Sequence, residues 1–350
     1  MTKLDDASLI SSLDSQDQFG MVADLPEQVL RAYAAAGDVD IGGFDQVTGI
    51  AVAGMGGSAI GGDVIAVSYE DRLEYPMVTV RGYRLPGWID DRTLVFVVSY
   101  SGNTEETISC LEDALNRGCR VICVATGGAI GRAAGEREIP LIVVPANLQP
   151  RAAMGWLSVP VAACLEKLGL LNDVERDADE TAAVLGQLRD LYGPENPAAG
   201  NPAKLLAKEL ENRIPVIYGA ELTATAAYRW KCQINENSKA MAFAHEFPEL
   251  NHNEVVGWER PPERLGDYRV VYLKDGQSHS QNHKRMDITA DLLETFVGGI
   301  REYVTSGKSR LARILSSTYL GDYVSLYLAL LYGIDPSPVE RIENLKKRLA

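Results

Sequence analysis

Residues 93–98 (TLVFVV) form an unbroken apolar run that ends in Ser99-Tyr100-Ser101-Gly102-Asn103-Thr104, and a helix-compatible stretch follows over 105–117. An apolar run, a turn of small hydroxyl-bearing residues and then a helix restrict the local fold to a strand–loop–helix unit, with its loop at the carboxyl end of the strand. Ser99, Ser101 and Thr104 place three aliphatic hydroxyls within six residues, and Gly102 permits a tight turn. The unpaired N–H groups at the start of the following helix add donors and the positive end of a dipole. Such a loop suits the three terminal oxygens of a phosphate monoester. Ser, Thr, Asn and Gly are equally the ordinary residues of a cap and turn.

The same pattern surrounds this stretch. Strand-like segments at 47–53, 77–80, 93–98, 120–125 and 140–144 alternate with helix-compatible ones. That alternation predicts an α/β architecture, a doubly wound parallel sheet with every post-strand loop on one edge. The first strand runs into Gly54-Met55-Gly56-Gly57-Ser58. A lone Gly-x-Gly is a weak dinucleotide fingerprint, and the acidic residue expected beyond it does not end a convincing strand. Gly56 and Gly57 instead let backbone N–H groups approach a small ligand, and Ser58 adds a hydroxyl. After the last strand comes Gln149-Pro150-Arg151. Arginine at a helix start opposes the dipole, so either it is simply solvated or a site there needs positive charge.

Charge sharpens that requirement. The chain carries a net −14 with no basic stripe, which argues against a nucleic-acid partner. An anionic ligand must then find a locally positive site within a repelling field. The N-terminus has no apolar core of a signal peptide, and no apolar run approaches a membrane span, so no membrane partner is expected. The five cysteines, Cys110, Cys119, Cys123, Cys164 and Cys232, have scattered spacings and read as reduced cytoplasmic thiols. Cys119 and Cys123 share a strand face and read as buried apolar residues.

Residues 1–24 read as a polar arm, with a frayed segment or short helix over 4–18. Residues 25–190 form a first domain, opening on a helix at 25–36 that Gly37 stops. The Pro- and Gly-rich segment 192–202 marks the boundary to a second domain, 191–350. There the pattern restarts, with helices at 203–212, 221–237, 289–296 and 311–331, strands at 214–218, 269–273 and 299–304, and a basic tail helix at 339–350 carrying Lys346 and Lys347. Glu236, in the last turn of the 221–237 helix, meets the negative end of its dipole, which suits a general base. His252, in the polar turn Asn251-His252-Asn253-Glu254, can shuttle protons. Either residue alone is an ordinary surface residue. His279 and His283 read as a solvated loop, with no further ligand nearby to complete a metal site.

Taken in order, Gly54-Met55-Gly56-Gly57-Ser58, the 99–104 loop, Gln149-Pro150-Arg151, Asn235-Glu236-Asn237-Ser238-Lys239, Leu250-Asn251-His252-Asn253-Glu254 and Leu345-Lys346 resemble the bifunctional phosphoglucose/phosphomannose isomerases of archaeal and bacterial type. The resemblance runs from about Leu25 to the C-terminus. It implies two sugar-isomerase (SIS) domains and a homodimer whose site lies between domains, with the histidine of one subunit completing the other's site. It implies interconversion of glucose 6-phosphate or mannose 6-phosphate with fructose 6-phosphate, with no metal and no cofactor. By the same resemblance Gly56, Gly57, Ser58, Ser99, Ser101 and Thr104 hold the phosphate. His252 and Lys346 assist ring opening, Glu236 moves the proton between C2 and C1, and Arg151 stabilises the enediolate. Two other readings compete. A glucosamine-phosphate synthase carries a glutaminase domain with a cysteine after the initiator Met, where Thr2 stands here. A sugar-phosphate sensor that binds without catalysis usually brings a DNA-binding helix-turn-helix, and the acidic N-terminus offers none.

Overall fold

The computed structural model describes residues 3–44 and 46–349; Thr2, and Ala350 at the end of the expected tail helix, lie outside the described residues. The chain divides into two compact units. The first comprises Asp24–Leu185 with Gly307–Ile314; the second takes the chain up to Ala23, then Gly186–Ser306, then from Leu315 onward.

The first unit holds β1 (Gly49–Ala53), β2 (Met77–Val80), β3 (Thr93–Ser99), β4 (Arg120–Ala125) and β5 (Leu141–Val143). All pair in parallel, in the order β2-β1-β3-β4-β5. β1 and β3 are buried along their whole length, as the near-continuous apolar runs of a sheet covered on both faces require. One face packs Val95, Val97, Val121 and Cys123 against Cys110, Leu111 and Ala114 of the Glu105–Asn116 helix. Cys119 and Cys123 are core residues as expected, and burial pushes the Cys123 thiol up to about 12. On the other face the Leu25–Asp38 helix, which passes through Gly37 rather than stopping there, meets the Met154–Lys167 helix closely. A Cβ on Gly155 would lie 2.7 Å from that of Gln28, whose Nε2 donates to the Ala152 carbonyl (3.0 Å). The segment Gly307–Ile314 is tied in by Glu180, which accepts from the backbone N–H groups of Lys308 (2.5 Å) and Ser309 (3.0 Å).

The second unit holds β6 (Ile214–Ala220), β7 (Phe243–Phe247), β8 (Tyr268–Lys274) and β9 (Ile300–Val304), parallel and ordered β7-β6-β8-β9. This repeats the order of the first four strands of the first sheet. Two sequence expectations fail here. β7 was not foreseen: it is an edge strand interrupted by His245 and Glu246, and edge strands lack the apolar run that marks a central one. The segment around His279 and His283 is not a loop but opens the Ser280–Leu293 helix, which begins well before the expected residue 289. Its first turns are polar, and its cap is His279 itself, whose Nδ1 accepts from the Gln281 N–H (3.1 Å). Of the two readings of the arm before Leu25, the short helix is the one found. Asp6 caps the Ala7–Leu13 helix, Asp14 accepts from the N–H groups of Gln18 and Phe19, and the Phe19 ring packs 5.1 Å from that of Tyr327. Fully buried Lys204 donates to Asp5 (3.1 Å) and to the carbonyls of Pro194 (2.8 Å) and Asn196 (2.9 Å). The Arg310–Leu331 helix is long and apolar enough to cross a membrane, and 94% of its most apolar window is buried inside the protein, the signature of a core helix.

Candidate functional site

In an open parallel sheet, ligands bind beyond the carboxyl ends of the strands where the strand order reverses. In the first unit that point lies between β1 and β3, and the two loops singled out from the sequence leave these two strands. Ala53 pairs with Val97, so both loops leave the sheet at nearly the same level. A Cβ on Gly54 would lie 3.0 Å from the Val98 carbonyl oxygen. The loops therefore close on each other with no side chain between them.

Gly56 takes a positive φ (+52°) and starts the Gly56–Tyr69 helix, whose first turn carries Gly57 and buried Ser58. In the second loop the buried Ser99 Oγ lies 3.0 Å from Thr104 Oγ1, and Thr104 is the N-cap residue of the Glu105–Asn116 helix without using its side chain to cap it. Exposed Ser101 accepts from the Asn103 N–H (3.2 Å), leaving its own O–H proton to donate outward. Gly102 is dictated by geometry: its φ is +66° and a Cβ would come 1.9 Å from the Gly127 carbonyl oxygen. Gly102→Ala is therefore expected to destabilise the first unit by at least about 2 kcal/mol, from the left-handed backbone plus the clash. A thermal unfolding scan checks this, and phosphate competition is expected to weaken in parallel.

The third predicted element joins these two. A Cβ on Gly57 would lie 3.1 Å from the Pro150 carbonyl oxygen, so the short turn Pro150–Ala152 packs against the first loop. Arg151 on that turn is only 5% exposed, with Nη1 3.5 Å from Gln149 Oε1. A buried guanidinium thus places a positive charge at this end of the sheet, in a chain of net −14. Tyr100 fixes the arrangement and was missed from the sequence. Its hydroxyl donates to the Pro145 carbonyl (2.9 Å) and accepts from the Leu148 N–H (2.7 Å), tying the hydroxyl loop to the segment before Arg151. Nothing in its surroundings along the chain signals a partner 45 residues away.

In the second unit, Glu236 is half-buried in the last turn of the Leu222–Asn237 helix. That turn is fastened on both sides of the glutamate. Gln233 Nε2 donates to Asp322 (2.8 Å), Asn237 Nδ2 to Ser325 Oγ (2.9 Å) and Ser238 Oγ to the Ser325 carbonyl (2.7 Å). Lys239 caps the helix end, donating to the carbonyls of Glu236 (2.7 Å) and Pro336 (2.9 Å). A cation there suits the dipole and leaves the carboxylate in a charged, polar setting.

His252 is exposed at the end of the short helical turn Glu249–His252. Topology separates it from Glu236 within this unit. The Leu222–Asn237 helix starts at the carboxyl end of β6 and packs back along β6 and β7, so Glu236 lies near the amino ends of the strands. β7 then runs parallel to β6 and delivers the chain to the opposite edge before His252. Its five residues span about 15 Å. Lys346 lies on the Glu340–Leu349 helix, where every described residue from 341 to 349 is exposed.

Residues 199–349 match the family model described as bacterial phospho-glucose isomerase C-terminal SIS domain. A bifunctional phosphoglucose/phosphomannose isomerase of Caldicellulosiruptor bescii is 44% identical over 334 residues, covering 95% of this chain and 98% of that one. One of Aquifex aeolicus is 40% identical over 308 residues, covering 86% of this chain and 90% of the other. Among solved structures, a hypothetical protein of Thermus thermophilus superposes with a TM-score of 0.74 at 16% identity, over 98% of this chain and 93% of that one, a likeness of fold.

Proposed function

Because the chain belongs to the bifunctional phosphoglucose/phosphomannose isomerase family and is an aldose–ketose isomerase of that kind, we propose that it interconverts glucose 6-phosphate and mannose 6-phosphate with fructose 6-phosphate through an enediolate. The observation that carries the reading in this chain is the pair of hydroxyl- and glycine-rich loops at the β1/β3 reversal, with buried Arg151 beside them. A phosphate held there gives remote binding energy to position the sugar. Gly56, Gly57, Ser58, Ser99, Ser101 and Thr104 are the proposed phosphate ligands.

The proton moves between C2 and C1 through Glu236. The developing oxyanion is met by Arg151. His252 and Lys346 serve the ring oxygen and O1 during ring opening. The separation of Glu236 and His252 across the second sheet supports a homodimer in which the partner subunit's His252 completes the site. Epimer tolerance follows if base and guanidinium reach either face of the carbon after rotation about C2–C3. We place the enzyme in the cytoplasm, a reading that its unpaired, mostly buried thiols support.

In heavy water, incubation of either aldose phosphate is expected to incorporate deuterium at C2 and to form the ketose. A sensor would bind both sugars and exchange neither, and that result overturns the proposal. Ser101→Ala is expected to lower kcat/KM about 10- to 100-fold, the worth of one hydrogen bond to a charged oxygen. Steady-state kinetics on both aldoses checks it.

A further inference from the structure

The segment Glu249–Glu254 holds its own flanks to the fold and leaves His252 outward. Leu250 is 1% exposed, sunk into the aromatic cluster of Tyr218, Phe247, Trp258 and Tyr272. Asn251 donates to Thr289 Oγ1 (2.9 Å) and accepts from Arg285 Nη1 (3.3 Å), which joins the segment to the Ser280–Leu293 helix. Asn253 donates to Glu249 (2.9 Å) and caps the next helix through the Glu254 N–H (2.6 Å). Glu254 accepts from the hydroxyl of Tyr218, which in turn accepts from Trp258 Nε1 (3.0 Å).

Tyr218 is the notable member. It lies in the middle of β6, fully buried, at positions paired to both neighbouring strands. Burial and the nearby Glu254 carboxylate both push its phenol above the ordinary value, so it stays a donor. A phenylalanine would fill the same space among Phe247 and Tyr272 but would take the acceptor from Trp258 Nε1 and the donor from Glu254. The hydroxyl ties a half-buried carboxylate, two residues past His252, to the centre of the sheet.

We propose that Tyr218 and Glu254 are positioning residues: the Trp258–Tyr218–Glu254 chain of hydrogen bonds fixes the turn that presents His252 to the ring oxygen of the sugar. This rests on the role given to His252 above. A displacement of a reacting group by about 1 Å can cost on the order of 100-fold in rate, so a clamp of this kind is worth keeping.

The test compares Tyr218→Phe, Glu254→Ala, Glu254→Gln and His252→Ala, and the double variant Tyr218→Phe/His252→Ala, in the full-length protein with glucose 6-phosphate. Tyr218→Phe and Glu254→Ala are expected to lower kcat about 10- to 100-fold with KM changed less than about threefold. Glu254→Gln keeps an oxygen that accepts from the Tyr218 hydroxyl, and is expected to recover most of the rate. In the His252→Ala background, Tyr218→Phe is expected to change kcat by less than about twofold, because its effect passes through the missing imidazole. An equal loss in both backgrounds overturns the clamp, as does wild-type kcat in Glu254→Ala. If His252→Ala keeps full turnover while Glu236→Gln abolishes it, the clamp and the role of His252 fall together and the isomerase reading stands.

Discussion

Replacing Glu236 by glutamine is expected to lower kcat for both aldose phosphates by about 1,000-fold or more, in the middle to upper part of what a general base contributes. Glutamine matches the glutamate in size and keeps an acceptor oxygen, but its amide does not take a proton from carbon. The last helical turn is held through Gln233, Asn237, Ser238 and Lys239, so the fold should tolerate the change. Inhibition by inorganic phosphate should then stay within about threefold of wild type, because the phosphate loops belong to another part of the chain. Glu236→Asp is a stricter test. It retains the base but withdraws it by roughly one bond length, for an expected loss of about 100-fold. Exchange of the C2 hydrogen with solvent should fall in step with kcat in both variants. If Glu236→Gln retains a tenth of wild-type exchange, the proton goes elsewhere.

What could be read from the sequence, and what could not, follows from how far each residue's partners lie along the chain. β3 and its hydroxyl loop were legible because apolar run, turn and helix are adjacent, and Gly102 sits where the backbone must turn left-handed. Gly57 and Arg151 were legible as residue types, but that they lie side by side depends on the Pro150 carbonyl meeting Gly57 across nearly a hundred residues. β7 escaped because an edge strand bearing His245 and Glu246 carries no periodic apolar signal. The Ser280–Leu293 helix was cut short for a related reason, its opening turns being polar and its cap a histidine. The N-terminal segment could be read only as frayed or a short helix because its anchors, Lys204 for Asp5 and Tyr327 for Phe19, come from the far side of the sequence. Local chemistry is written locally; the docking of polar segments is not.

The buried pair Arg229–Asp322 provides the largest expected effect on stability. The guanidinium Nη2 donates to Asp322 Oδ2 at 2.7 Å, and both side chains are almost wholly removed from solvent. Burial raises the Asp322 carboxyl above its ordinary value against the pull of Arg229 and the hydrogen bond from Gln233. Desolvation thus outweighs attraction, and the pair contributes less through its charges than through what it prevents, an uncompensated charge in the core. Asp322→Ala removes the carboxylate to which both the buried Arg229 guanidinium and Gln233 Nε2 donate. The expected loss is about 3–5 kcal/mol. Removing both charges, as in Arg229→Met with Asp322→Leu, should restore most of it, because no uncompensated charge is then left in the core. Urea unfolding followed by tryptophan fluorescence is a suitable measure, since Trp230 is fully buried next to Arg229 and its Nε1 donates to the Ser317 carbonyl at 2.8 Å. Gln233 loses this acceptor in both variants and lies less than one turn before Glu236, so both should also lose activity. Equal stability of Asp322→Ala and wild type would mean that the charge reaches water by a route the packed core does not provide.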